Sequence, residues 1–221
     1  MPERDENNLP FAKLKRFLEP RSKPALGTDC EFCGVEIAPS HSHTVNVETR
    51  NLMCVCRACY LLFTSDGAGG GKYKAVPERY IHLPEFVLSR AQWDRLQIPV
   101  GIAFFFFNSS LGRTVVFYPS PAGATESLLS LESWEELVGM NPILATLSAD
   151  VEALLVRNLQ RRESFDRFIV PIDACYELVG RIRQSWKGFD GGDEAWAKID
   201  AFFADLRARS DEPAPAPGTT A

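Results

Sequence analysis

Residues 30–34 read Cys-Glu-Phe-Cys-Gly and residues 54–59 read Cys-Val-Cys-Arg-Ala-Cys, and these two segments decide how the N-terminal third of the chain folds. They contain five of the six cysteines in the 221-residue sequence. A gap of two residues lets both sulfurs of a turn face one point, and two such turns complete a tetrahedron around Zn²⁺. The predicted ligands of one metal ion are Cys30, Cys33, Cys56 and Cys59. Two disulfides, or reduced cysteines with a structural role, are the alternatives.

The chain between and after the two cysteine pairs predicts a hairpin followed by a helix. Val45 and Val47 alternate with polar side chains, a polar turn follows at residues 49–51, and residues 52–55 are apolar, which is typical of two paired strands. Residues 56–63 indicate a helix whose first turn carries the second cysteine pair. A turn, a hairpin and a helix in this order form the layout of a small treble-clef or zinc-ribbon-like metal module, which is predicted over residues 26–75.

Three further side chains close to the cysteine pairs could reach the same metal, namely Cys54, His41 and His43. Cys54 is either a spare or alternative ligand or a small apolar residue beneath the hairpin. The second interpretation is favoured because a closed zinc site takes four ligands. His41 and His43 could replace a cysteine, donate a hydrogen bond to a ligand thiolate, or lie in a solvated turn. Cys175 lies on the apolar stripe of a later helix and is predicted to be a core residue.

The chain after residue 75 predicts a larger α+β domain over residues 76–209. Residues 102–107 are apolar on both faces and predict a covered central strand, whose hairpin partner follows the turn at residues 108–112. Further strands and helices follow, including a helix that Asp173 is predicted to cap. Strands in hairpins with helices between them indicate an antiparallel sheet packed with helices.

Both ends of the sequence are polar. Residues 1–25 are predicted to be a flexible segment, within which Phe11–Leu18 form a short basic amphipathic stretch. This stretch could dock on another protein or lie on the domain. The proline-rich residues 210–221 are predicted to be disordered, because they have nothing to bury.

Charge and compartment narrow the classes of partner. The net charge is −5, and residues 25–75 carry four Lys/Arg against five Asp/Glu. Since phosphate neutralisation supplies most of the affinity for nucleic acid, no nucleic-acid partner is predicted. No apolar run reaches the length of a membrane span, and the polar start of the sequence predicts no signal peptide. The expected location is the cytoplasm, where reduced thiols favour a metal site over disulfides.

No constellation of acid, base and nucleophile predicts a reaction. The HExxH and GxSxG patterns do not occur, and the glycine run at residues 67–71 lacks phosphate-loop spacing and is expected to be a linker. Three interpretations follow: a non-catalytic metal-binding accessory protein, a rubredoxin-like iron electron carrier, and an enzyme of unknown reaction using the C-terminal domain. Rubredoxin uses two CxxCG turns, whereas here only Cys33 is followed by glycine. Zinc is therefore the expected metal and iron the alternative.

Several longer strings resemble an uncharacterised bacterial family of about this length, over roughly residues 26–209. They are CEFCG, HSHTVNVETRNLMCVCRACYLLF, RLQIPVGIAFFF, LGRTVVFYPSPAGATES and VPIDACYELVGRIRQSWKGFDGG. Genes of that family are often found beside those for high-affinity [NiFe]-hydrogenases. The resemblance implies an accessory role in hydrogenase assembly or electron delivery, with hydrogenase subunits or maturation factors as the protein partners.

Overall fold

A computed structural model describes residues 27–96, 98, 100–127, 131–159, 164–188 and 191–212 of the chain. The predicted flexible segment 1–25, including its amphipathic stretch, lies outside the described residues. The predicted C-terminal tail is described only as far as Glu212. Within it, the backbone N–H of Asp211 donates to Tyr80 O (3.0 Å), and the N–H of His82 donates to Asp211 O (2.9 Å).

Nine strands and five α-helices follow one another along the described part of the chain. They are β1 (Ser42–Asn46), β2 (Asn51–Val55), α1 (Arg57–Leu61), β3 (Tyr73–Ala75), β4 (Ile81–His82), α2 (Arg90–Arg95), β5 (Ile102–Asn108), β6 (Arg113–Ser120), β7 (Gly123–Ser127), α3 (Leu131–Met140), β8 (Glu152–Leu159), β9 (Ser164–Pro171), α4 (Ile172–Ser185) and α5 (Gly192–Arg209). Two short 3₁₀ helices lie at Ala68–Gly71 and Pro142–Thr146.

The N-terminal module is built on a small antiparallel sheet of order β2-β1-β3. The predicted hairpin is present, with His43 opposite Cys54 and Val45 opposite Leu52. The third strand was not expected from the sequence. The glycine run that was interpreted as a linker forms a 3₁₀ turn, and β3 immediately after it pairs with β1.

The hairpin of β1 and β2 has two faces with different surroundings. Successive side chains of a strand point to opposite faces, so the residue pairs in register share a face. The face that we call the domain face carries His43, Cys54, Val45 and Leu52, and Val45 lies in the same buried cluster as Phe106. The opposite face, which we call the cysteine face, carries Met53 and Val55, which pack with Cys30 and Cys59.

The larger domain is a six-stranded antiparallel sheet of order β4-β9-β8-β5-β6-β7. The predicted central strand is β5, in which Phe104 is 1% exposed and Phe105 is fully buried. Phe104 packs into a cluster with residues of α4 and α5. Phe105 packs into a second cluster with residues of α2 and α3 on the other side of the sheet. The α+β prediction, with a cysteine module followed by an antiparallel sheet packed with helices, is confirmed.

Several polar contacts join the module to the larger domain. Lys74 of β3 pairs with the carboxylate of Asp150 (Nζ–Oδ2, 2.8 Å). The hydroxyl of Ser110 donates to the carbonyl of Val47 at 2.8 Å. His43 of β1 reaches the first turn of α4, as described below. The domain face of the hairpin is therefore held against the sheet and α4.

Candidate metal centre

The local fold brings the two cysteine pairs to one point. The first pair lies on a tight turn in which the N–H of Gly34 donates to Cys30 O at 2.7 Å, and Gly34 has a φ of 73°, which favours glycine. The second pair begins where β2 ends. Cys56 is the N-cap of α1, and its sulfur accepts a hydrogen bond from the N–H of Cys59 (3.4 Å). The strand thus delivers one sulfur and the first turn of the helix delivers the other.

The four predicted ligand cysteines form one cluster. The sulfurs of Cys30, Cys33, Cys56 and Cys59 all lie within 4.8 Å of one another. The Sγ atoms of Cys33 and Cys56 are 3.7 Å apart. A tetrahedral ion with metal–sulfur bonds of about 2.3 Å requires sulfurs about 3.8 Å apart, so the cluster has the size of such a site. The four cysteines could therefore bind a metal ion.

The surroundings of the four sulfurs shift the pKa values of the Cys30 and Cys59 thiols. Burial raises the pKa of the Cys30 thiol, but the backbone N–H groups of Cys56, Cys33 and Phe32 donate to its sulfur and bring its pKa down to about 6. Burial and the neighbouring sulfurs raise the pKa of Cys59 above its ordinary value. A bound cation would favour the deprotonated sulfurs, which are the form that binds a metal.

Only a small group of apolar side chains surrounds the four-cysteine cluster. Val55 is fully buried and Tyr60 is 8% exposed beside Cys30 and Cys59, with a few partly buried side chains around them. The hydroxyl of Tyr60 donates to the carbonyl of Val76 at 3.1 Å. Such a small cluster supplies little stability by burial alone, which is the usual reason for a structural metal in small modules.

The three other candidate residues form a separate group. The ligand atoms of His41, His43 and Cys54 lie within 4.8 Å of one another, and these residues do not belong to the four-cysteine cluster. His43 and Cys54 are paired in register on the domain face, whereas Val55 and the sulfurs lie towards the cysteine face. Because the strand ends at Val55 and Cys56 starts the helix, Cys54 and Cys56 are directed to different places.

Hydrogen bonds and charge define the surroundings of this group. His43 Nδ1 is 2.8 Å from Asp173 Oδ2, and His41 Nδ1 is 2.9 Å from Ala38 O. Burial and the carboxylate of Glu31 raise the pKa of the Cys54 thiol. Cys54 is thus a half-buried, neutral thiol next to two imidazoles.

Asp173 is the residue of this region that sequence reasoning misjudged. It was expected to cap α4, but the helix begins at Ile172 with Pro171 as its N-cap. Asp173 lies in the first helical turn, and its carboxylate accepts a hydrogen bond from His43, which is 130 residues earlier in the chain. No sequence signal links the two residues. Cys175, two residues later, is fully buried in the core as expected.

The fold and the cluster define an α+β protein with a small cysteine module that could hold a metal ion. The chain belongs to a family of unknown function (DUF5947), whose model matches residues 29–210. That range includes all four cysteines of the cluster and both sheets. No curated protein and no solved structure matches the chain. In the described residues, no helix is both long enough and apolar enough to cross a membrane.

Proposed function

We propose that the protein is a non-catalytic accessory protein of the cytoplasm, in which zinc bound by Cys30, Cys33, Cys56 and Cys59 shapes a surface for another protein. The observation that carries this proposal is the cluster of four sulfurs at tetrahedral spacing. Four thiolates with no position left for substrate are the pattern of structural zinc sites, whereas catalytic sites keep a position open.

The module carries exposed apolar side chains that fit a role in protein binding. Leu61 at the end of α1 is 55% exposed, and Leu62 at its C-cap is 66% exposed. Val35, directly after the first cysteine turn, is 50% exposed. Both segments are fixed in place by cysteines of the cluster. A metal bound there would hold these side chains in one arrangement, which lowers the entropy cost of docking.

The proposed client is a [NiFe]-hydrogenase or one of its maturation factors. This part of the proposal depends on the resemblance to a bacterial family whose genes are often found beside hydrogenase genes. Deleting the gene is then expected to lower hydrogen uptake or the fraction of processed hydrogenase. Unchanged hydrogen uptake, with the hydrogenase fully expressed and metallated, would rule out this client.

The identity of the metal separates this proposal from an iron electron carrier. Rubredoxin holds iron between two similar glycine turns, whereas here the second pair lies at the start of a helix. We expect stoichiometric zinc and a colourless protein after purification without added metal. Iron, with thiolate charge-transfer bands in the visible spectrum, would support the electron carrier instead.

The double variant Leu61→Ser/Leu62→Ser tests the proposed surface. Both side chains are more than half exposed, so the change in stability is expected to stay within about 0.5 kcal/mol. Co-purification of hydrogenase subunits is expected to fall about tenfold or more, while the zinc content is unchanged. Leu111→Ser is the matched control, since Leu111 is 44% exposed and follows β5 in the larger domain. Equal loss of binding in both variants would contradict a docking role for the module.

A further inference from the structure

We propose that His41, His43 and Cys54 form a second metal site, separate from the four cysteines, which takes a zinc-like divalent transition ion. The three ligand atoms lie within 4.8 Å of one another. One thiolate and two imidazoles are a ligand set that suits Zn²⁺ and its neighbours in the first transition row. The site is on the domain face of the hairpin, between the module and α4.

Hydrogen bonds fix the tautomer of both histidines in the form that a metal requires. A carbonyl oxygen only accepts, so His41 Nδ1, 2.9 Å from Ala38 O, carries the proton. By the same reasoning His43 Nδ1 donates to the carboxylate of Asp173 at 2.8 Å. Each imidazole is therefore left with Nε2 as the nitrogen that offers a lone pair.

His41 Nε2 provides an independent sign of a missing ligand. It is buried and has no hydrogen-bond partner among the described residues. A buried polar atom without a partner is destabilising, so such atoms are uncommon unless an ion or water completes them. A metal bound at Nε2 would satisfy this atom.

Asp173 has the position of the carboxylate that commonly supports a histidine ligand. Such a carboxylate orients the imidazole and increases the electron density on the ligating nitrogen. Asp173 Oδ2 accepts from His43, and its Oδ1 is buried with no partner among the described residues. Glu31 adds negative charge on the other side, since its Oε1 accepts from the N–H of Cys54 at 2.7 Å. Both carboxylates favour a bound cation.

Three protein ligands would leave one position of a tetrahedral ion open. That pattern is found in zinc sites that bind water or a small ligand. On binding, the Cys54 thiol would lose its proton to solvent and the thiolate would take its place on the ion.

Metal stoichiometry of the full chain tests the second site. After equilibrium dialysis against micromolar Zn²⁺, we expect two equivalents of zinc per chain in the natural protein and one in the double variant His41→Ala/His43→Ala. The double histidine variant is expected to keep the four-cysteine metal, so failure of the second site is distinguishable from failure of the first. Cys33→Ser is expected to lose both equivalents, because release of the four-cysteine metal loosens the hairpin that carries His43 and Cys54. His82→Ala is the matched control, because His82 contacts Arg207 of α5 and belongs to neither group of candidate ligands. It should retain both equivalents.

Two outcomes would overturn the second site. The first is a single equivalent in the natural protein that the double histidine variant retains. The second is a single equivalent that Cys54→Ser and Cys33→Ser both abolish, since Cys54 would then serve the four-cysteine metal. A measurement without any variant adds to this: Zn²⁺ should protect Cys54 from alkylation at least about tenfold, and an unchanged rate would count against ligation.

Asp173 is tested as a positioning residue. Asp173→Ala is expected to lower the zinc affinity of the second site about 10–100-fold, measured in competition with a chelator. The zinc affinity of the four-cysteine site is expected to stay unchanged. A purely structural His43–Asp173 contact would instead lower the melting temperature without changing either metal affinity. That result would overturn the assigned role of Asp173.

Discussion

Cys30→Ser is expected to release the metal of the four-cysteine cluster and to remove hydrogen-exchange protection from residues 27–75. Structural zinc binds such sites with about 10–16 kcal/mol of apparent free energy, which is more than a small apolar cluster can replace. Cys30 is fully buried, and its sulfur receives several backbone hydrogen bonds, so serine cannot restore the thiolate charge there. The measurement is zinc content together with amide exchange followed by mass spectrometry.

The larger domain is expected to survive this loss. The side chains of the core between the six-stranded sheet and the helices α4 and α5 come almost entirely from the larger domain. Val45 is the main contribution of the hairpin to this core. A cooperative thermal transition should therefore remain after chelation, while exchange becomes fast in the module. Complete loss of that transition would show that the two parts share one core.

Cys175→Ala is the matched control for this prediction. Cys175 is fully buried in α4 and belongs to neither group of candidate ligands. The variant is expected to keep its zinc and the protection of the module. Retention of zinc by Cys30→Ser at the level of this control would contradict the assigned ligand set.

The four-cysteine cluster could be predicted from the sequence because its geometry is largely local. A two-residue gap fixes the distance between two sulfurs, and the hairpin length brings the second pair back to the first. The central strand was predictable for a similar reason, since a run of phenylalanines that is apolar on both faces needs cover on both sides. In both cases a short segment determines its own surroundings.

The second group of ligands was only partly predictable. The spacing of His41 and His43 placed them near the cysteines, but the register that sets Cys54 opposite His43 depends on where the hairpin turns. The contact with Asp173 joins residues that are 130 positions apart, and it depends on how α4 docks on the module. The strand β3 was missed because a glycine run has no local preference for pairing.

The ion pair of Arg79 and Glu152 is a further long-range contact with no sequence signal. Glu152 begins β8 and is 1% exposed, so its carboxylate is cut off from water. Arg79 donates to both of its oxygens, from Nε at 2.6 Å and from Nη2 at 2.7 Å. The N–H of Ser148 adds a third hydrogen bond at 2.8 Å. The buried charge is thus compensated from two directions.

Arg79→Ala is expected to lower the free energy of unfolding by about 3–5 kcal/mol, because it leaves a buried carboxylate with one backbone partner. For a chain of this length, that corresponds to a fall of about 6–20 °C in melting temperature. Arg113→Ala is the matched control, because Arg113 and Glu126 form a largely exposed pair whose loss should cost about 1 kcal/mol or less. The measurement is urea denaturation followed by circular dichroism.

A double variant separates the cost of the unpaired charge from the worth of the pair. Replacing both partners with apolar side chains, as in Arg79→Met/Glu152→Met, also removes the buried carboxylate that Arg79→Ala leaves unpaired. The double variant is therefore expected to be more stable than Arg79→Ala, although Ser148 loses its acceptor. If the double variant is no more stable than Arg79→Ala, the carboxylate of Glu152 finds other compensation once Arg79 is absent, and the buried-charge explanation is wrong.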